Sequence, residues 1–252
     1  MIELTHVYKS FGNRHILKDV NLSVRDGETM VILGASGSGK STILKLIMGL
    51  IHPDRGMVMV DGKNIPDLPE DALNEERRHM GMVFQYSALF DSMNIKENVA
   101  FGLRQHLHLP EEEIDRIVKE KLRLVGLSGI ENLMPANLSG GMKKRVSLAR
   151  AAAMNPSIIL YDEPTAGLDP IMSTTISHLI RRTQQEMHAT SVVVTHDMKS
   201  AKEIADRMAF LYEGAFLAIG APEDLYQSED MRVQQFVHGW EKPERPEGGE
   251  TP

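Results

Sequence analysis

The chain has 252 residues, 42% hydrophobic and 25% charged, with a formal net charge of −7 and no cysteine. This length suits one large domain or two closely joined lobes around a real core; with no basic block, the chain is neither a sequence-independent nucleic-acid binder nor able to dock on anionic lipid by charge alone. Disulfides and thiolate metal sites are excluded, residues 1–6 carry no secretory pattern, and no apolar run approaches the ~18 residues needed to span a bilayer, so any membrane role comes through a partner.

Residues 2–8 and 17–24 alternate apolar with polar side chains and predict two antiparallel strands, with Phe11-Gly12-Asn13-Arg14 as the turn between them. Asp26-Gly27 turns the chain into the apolar strand Met30-Val31-Ile32-Leu33, a glycine-rich loop follows, and Thr42-Ile43-Leu44-Lys45-Leu46-Ile47-Met48 reads as a helix. Met57-Val58-Met59-Val60 is a further strand closed by the turn Asp61-Gly62, and Met80-Gly81-Met82-Val83-Phe84 is a short strand that delivers Gln85. From about Tyr86 to Met154 the pattern is mostly helical. Ile114, Ile117, Val118, Leu122 and Val125 recur at helix spacing over 111–125, and Pro110 with Glu111, Glu112 and Glu113 marks the start. The acidic run is a solvated first turn that complements the helix dipole.

After Asn155-Pro156 strands and helices alternate: a strand over 158–161, a helix over 171–187, a Val-rich strand over 191–195, a short helix over 197–205 and a strand over 208–212. That order predicts a mostly parallel sheet covered on both faces. The sixteen methionines read as fillers of irregular core gaps. Residues 240–252, rich in Pro, Gly and Glu, read as a mobile tail.

Three motifs carry chemistry. Gly34-Ala35-Ser36-Gly37-Ser38-Gly39-Lys40-Ser41 fits the phosphate-binding P-loop and sits between a strand and a helix, as that motif requires. Small residues let backbone N–H groups approach phosphate oxygens, the helix N-terminus adds positive charge, Lys40 reaches the β- and γ-phosphates, and the Ser41 hydroxyl suits Mg²⁺. Ile158-Ile159-Leu160-Tyr161-Asp162-Glu163 is an apolar strand ending in two carboxylates, Asp162 suited to Mg²⁺ and Glu163 to the water that attacks the γ-phosphate. Leu138-Ser139-Gly140-Gly141-Met142 places a hydroxyl and two glycines at a helix start, a second anion site. His196 directly follows the Val-rich strand, at the carboxyl edge where such sheets bind ligands.

In this order the motifs resemble those of the ATP-binding-cassette (ABC) ATPases, over residues 2–239. The resemblance implies an α/β fold: a P-loop NTPase core with a mostly parallel sheet, an antiparallel β subdomain and an inserted α-helical subdomain at about 86–154, all within a domain of 1–239. It implies ATP and Mg²⁺ as ligands. Gly34, Ala35, Ser36, Gly37, Ser38, Gly39, Lys40, Ser41 and Thr42 would form the Walker A cradle, with Ser41, Gln85 and Asp162 at the metal. Glu163 would be the catalytic glutamate, assisted by Lys40, Gln85 and the switch histidine His196. Ser139, Gly140 and Gly141 resemble the signature motif, with Met142 where Gln is usual, and Asp169 lies in a stretch like the D-loop. Phe11 stands where the family stacks an aromatic on adenine; a turn Phe that plugs the core is the competing reading. The resemblance also implies a head-to-tail homodimer holding two ATP molecules, each between one copy's P-loop and the other's signature.

The stretch from Phe84 to Val99, Leu133-Met134-Pro135, Met142 and the segment from Arg232 to Gly239 are similar to the ATPases of phospholipid transporters with MCE-domain (mammalian-cell-entry) partners. That similarity implies a motor on the cytoplasmic face of the inner membrane, bound to integral membrane permease subunits and through them to an MCE lipid-binding protein, with no nucleic-acid partner. The alternatives are the ATPase of a small polar solute importer and a soluble ABC protein of translation or DNA maintenance; the single cassette without a coiled-coil insertion speaks against the last. Val233, Phe236 and Val237 form an apolar cluster at helix spacing, followed by Trp240. We expect this end to dock on the partner ATPase; packing back on its own subunit is the other reading.

Overall fold

The computed structural model describes residues 1–239. The readings of Trp240 and of the tail 240–252 lie outside the described residues.

Two sheets share one molecule. The strands β1 (Ile2–Phe11), β2 (Arg14–Val24), β4 (Arg55–Val60) and β5 (Lys63–Asn64) form an antiparallel sheet in the order β2-β1-β4-β5. The second sheet runs β10-β9-β3-β8-β7-β6, from β3 (Thr29–Leu33), β6 (Met80–Val83), β7 (Ile158–Asp162), β8 (Thr190–Thr195), β9 (Arg207–Tyr212) and β10 (Ala215–Gly220). Its pairings are parallel except at the β9–β10 hairpin. β3 and β8 are buried along their whole length, as strands covered on both faces must be.

Alternation along these strands divides the interior in two. Met30, Ile32, Leu160, Val192 and Val194 point to one face, where they meet Ile43, Leu44 and Ile47 of α1 (Lys40–Ile47) and the inner side of the antiparallel sheet. Val31, Leu33, Ile159, Tyr161 and Val193 point to the other, toward the core that the remaining helices share. Three of those helices lie between β6 and β7 in the chain: α3 (Ile95–His106), α4 (Glu111–Leu124) and α5 (Gly140–Ala152). Asn94 and Glu97 cap α3 reciprocally, and Arg104 to Glu111 ties α3 to α4. Covering the same face, α6 (Pro170–Met187) and α7 (Met198–Ile204) connect β7 to β8 and β8 to β9. Among the described residues, no helix is long and apolar enough to cross a membrane.

Sequence periodicity leaves out α2 (Glu70–Arg78), the edge strand β10 and the short α8 (Pro222–Tyr226). The apolar cluster near the end lies on α9 (Met231–His238), and within this chain it packs against its own subunit, the other of the two readings. Val233 is fully buried, Val237 nearly so, and the ring of Phe236 lies 4.8 Å from that of Phe210 on β9. Val233 and Val237 are taken up by the core, and Phe236 is half-buried.

Candidate functional site

The carboxyl ends of β3, β6, β7 and β8 lie along one sheet edge, because all four strands run parallel. Every loop leaving them therefore opens on the same side. β3 delivers Gly34, where a Cβ would come within 2.5 Å of the Leu211 carbonyl, so the loop passes β9 only as glycine. Gly39 sits at φ +111° just before α1, and a Cβ there would meet Leu17 Cδ2 at 2.9 Å.

Lys40, the first residue of α1, is buried and turns back into the loop. Its Nζ donates to the carbonyls of Gly34 (2.8 Å) and Ala35 (3.1 Å) and lies 3.3 Å from Glu163 Oε1. Ser41 Oγ donates to Asp162 Oδ1 at 2.8 Å, which joins the start of α1 to the end of β7. Inside the loop, Ser38 Oγ is buried without a protein partner, an orphaned group of the kind a bound phosphate oxygen satisfies. The Ser41–Asp162 pair offers only oxygen, as Mg²⁺ prefers, and Mg²⁺ needs just one or two protein oxygens beside nucleotide phosphates. Among the described residues, no cluster of three or more His, Asp or Glu forms a self-sufficient metal site.

Glu163 leaves the strand at φ +46°, its N–H bonded to the Val194 carbonyl at 2.9 Å. That turn aims the carboxylate at the residue following β8, and Glu163 Oε2 accepts from His196 Nδ1 at 3.0 Å. Glu163 is thus gripped between Lys40 and His196. Behind it, burial lowers the Lys144 ammonium from the ordinary lysine value, opposed by the charges of Asp162 and Glu163. Burial raises the Tyr161 phenol on β7 above its usual range.

A cleft of about 380 Å³ collects Phe11, Ser36, Gly37, Gly39, Lys40, Ser41, Thr42, Gln85, Glu163 and His196. Phe11 is 52% exposed at the cleft mouth, which rules out the core-plug reading. Ser139, Gly140, Gly141 and Asp169 are not among the lining residues. Ser139 Oγ caps α5 by accepting from Met142 N at 3.3 Å, and Asp169 caps α6 by accepting from the N–H groups of Ile171 and Met172. The two helix starts touch, since Gly141 lies against Met172. Sequence reasoning missed Arg14 and Ile16, which also line the cleft, and Lys144 behind it. In the sequence Arg14 is part of a turn, yet its pairing with Phe11 in the hairpin puts both at one end.

A glycine cradle with its lysine, set beside a strand-end aspartate that bonds the cradle's serine, occurs in P-loop nucleoside triphosphatases, and the fold places this chain in that class. The family model described as ABC transporter matches residues 17–166, and the chain belongs to that family. It is 44% identical over 239 residues to the intermembrane phospholipid transport system ATP-binding protein MlaF of Haemophilus influenzae, covering 95% of this chain and 90% of that one. It is also 44% identical to a probable ribonucleotide transport ATP-binding protein, mkl, of Mycobacterium leprae, covering 94% of this chain and 69% of the relative. Among solved structures, the dimeric post-hydrolysis state of the ATP-binding cassette MJ0796, bound to ADP and phosphate, superposes with a TM-score of 0.81 at 36% identity, covering 88% of this chain and 99% of that one. The chain is therefore an ATP-binding cassette with ATPase activity.

Proposed function

We propose that this chain is the ATP-hydrolysing motor of a membrane transporter that moves phospholipid. The observation that carries the hydrolytic part is the convergence of Lys40, Ser41, Glu163 and His196 on one cleft, with Asp162 bonded to Ser41. The likeness to MlaF over nearly the whole of both chains supports the cargo.

In this reading the N–H groups of residues 34–41 and Lys40 hold the β- and γ-phosphates, and the exposed ring of Phe11 stacks on the adenine. Ser41 and Asp162 would hold Mg²⁺, with Gln85 beside it; the ion neutralises charge on the phosphate oxygens. Glu163 takes a proton from the water that attacks the γ-phosphorus, while the bond from that phosphorus to the β-phosphate oxygen breaks and ADP departs with the electron pair. His196 holds the Glu163 carboxylate in place. Ser139, Gly140, Gly141 and Asp169 stay outside their own chain's cleft, which supports their serving the cleft of a second, head-to-tail copy.

A groove of about 840 Å³ runs between β6 and the helices α2, α3 and α5, lined by Met82, Phe84, Phe90 and Phe101, with Tyr86 87% exposed nearby. Its apolar floor, bordered by Arg77, Arg78 and Arg150, supports docking of a permease helix against the lobe formed by residues 86–154. That would place the ATPase on the cytoplasmic face of the inner membrane, with an MCE-domain protein reached through the permease. The mkl relative favours a second reading, transport of a small polar solute. Isolation of the native complex, with mass analysis of subunits and bound lipid, decides. Phospholipid held together with an integral membrane subunit supports the proposal, a membrane subunit carrying a polar solute and no lipid shifts it to the second reading, and the chain with no membrane subunit overturns both.

A further inference from the structure

Lys144 is a buried cation on the helix that begins with Ser139-Gly140-Gly141. It is 6% exposed, and its Nζ donates to the Gln85 carbonyl and, at 3.4 Å, to the Glu163 carbonyl. Gln85 follows β6 and Glu163 follows β7, so one side chain of α5 grips the backbone at two separate strand ends. The same helix grips the first of these loops again further along, where Arg150 donates to the carbonyls of Ser87 (3.0 Å) and Ala88 (2.7 Å).

The gripped backbone is strained. Glu163, Ser87 and Ala88 have φ of +46°, +62° and +48°. Residues other than glycine stay in that region only where their surroundings over-determine them. Burying an ammonium is unfavourable, and an apolar side chain of the same length would fit beside Val83, Leu148, Tyr161 and Ile180 without that cost. Packing therefore does not account for a lysine at this position, whereas two carbonyls in need of a donor do.

We infer that Lys144 is a positioning residue for ATP hydrolysis, tying the loop of Gln85 and the turn of Glu163 to the helix that carries Ser139, Gly140 and Gly141. A shift of α5 then moves Gln85 and Glu163 together. Engagement of the Ser139 turn by nucleotide on a second copy reaches the hydrolytic carboxylate through one side chain. The inference rests on the reading of Glu163 as the base.

The test is Lys144→Met in the full chain assembled with its permease, since methionine fills the slot and removes every donor. We expect kcat to fall about tenfold to a hundredfold, as for a group displaced by ~1 Å, with KM and Kd for ATP within about twofold of the parent. Lys144→Arg, which keeps donors, recovers most of the rate. Should Lys144→Met not fold, Lys144→Gln retains one donor group and is expected to show a smaller fall in kcat with the same unchanged KM. Lys144→Met, or Lys144→Gln where the former does not fold, keeping kcat within about twofold of the parent overturns the inference, as does a change confined to KM. Glu163→Gln measured alongside separates the two claims: if it hydrolyses ATP like the parent, the reading of the base fails; if it is inactive while Lys144→Met is not, only the role of Lys144 fails.

Discussion

Glu163→Gln tests the proton-accepting role proposed for that residue with little change of shape. Glutamine has the same length, so it keeps a hydrogen bond to His196, and it meets the same strain at φ +46°. It loses the basic oxygen and the ion pair to Lys40, whose Nζ lies 3.3 Å from Oε1. A positioned general base contributes about 10²- to 10⁴-fold, or ~3–5 kcal/mol of barrier. Loss of the carboxylate has the opposite sign for binding: Lys40 no longer has an anionic neighbour competing with phosphate. We therefore expect kcat to drop at least about a hundredfold while the Kd for ATP stays equal or tightens by up to about tenfold. Phosphate release by the assembled complex at saturating ATP gives the first quantity, and fluorescent-nucleotide titration of the same sample gives the second. Light scattering with ATP and Mg²⁺ should show the paired form persisting in the variant. Turnover within about threefold of the parent, or loss of ATP binding, would refute the assignment of Glu163 as base.

Three further outcomes follow from the same geometry. Gly39→Ala forces a Cβ at φ +111° to within 2.9 Å of Leu17 Cδ2 and 3.1 Å of Ile16 Cγ2, and should cost ~2–4 kcal/mol, read as a lower melting temperature and weaker stabilisation by ATP. Ser139→Ala removes the cap of α5 and should cost ~1 kcal/mol in chemical denaturation, yet leave ATP binding to the isolated chain unchanged, because Ser139 is exposed and outside the cleft. Asp230 is pulled down from 3.8 to about 2 by its side-chain hydrogen bond to Arg232, aided by the Arg232 backbone N–H. A depressed carboxylate stabilises the fold above its unfolded pKa and loses that effect as pH falls through the folded one. The melting-temperature gap between parent and Asp230→Ala should therefore be full at neutral pH and close between about pH 4 and pH 2.

What could be read from the sequence depended on whether a rule supplied the address as well as the residue. Ser41 and Asp162 are 121 positions apart, yet their meeting was foreseeable. Ser41 follows the loop that leaves β3 and Asp162 ends β7, and parallel strands bring all their exits to one edge. The same topological argument reached Gln85, Glu163 and His196. It does not reach Lys144, which approaches that edge sideways from a helix lying across it. Nothing in the spacing of Gly141, Lys144 and Leu148 distinguishes a buried lysine from a solvated one. α2 escaped notice for a related reason: beside Leu73, its other buried residue is Glu76, paired with Lys63, so the inner face reads as polar. β10 has no fully buried residue, so period two has nothing to mark. The cluster on α9 makes the limit plainest. Its spacing correctly announced an apolar face, but Phe210 and Leu225, which pack in the same core, belong to other elements, β9 and α8. Periodicity says that a surface will be covered, and only the topology says by what.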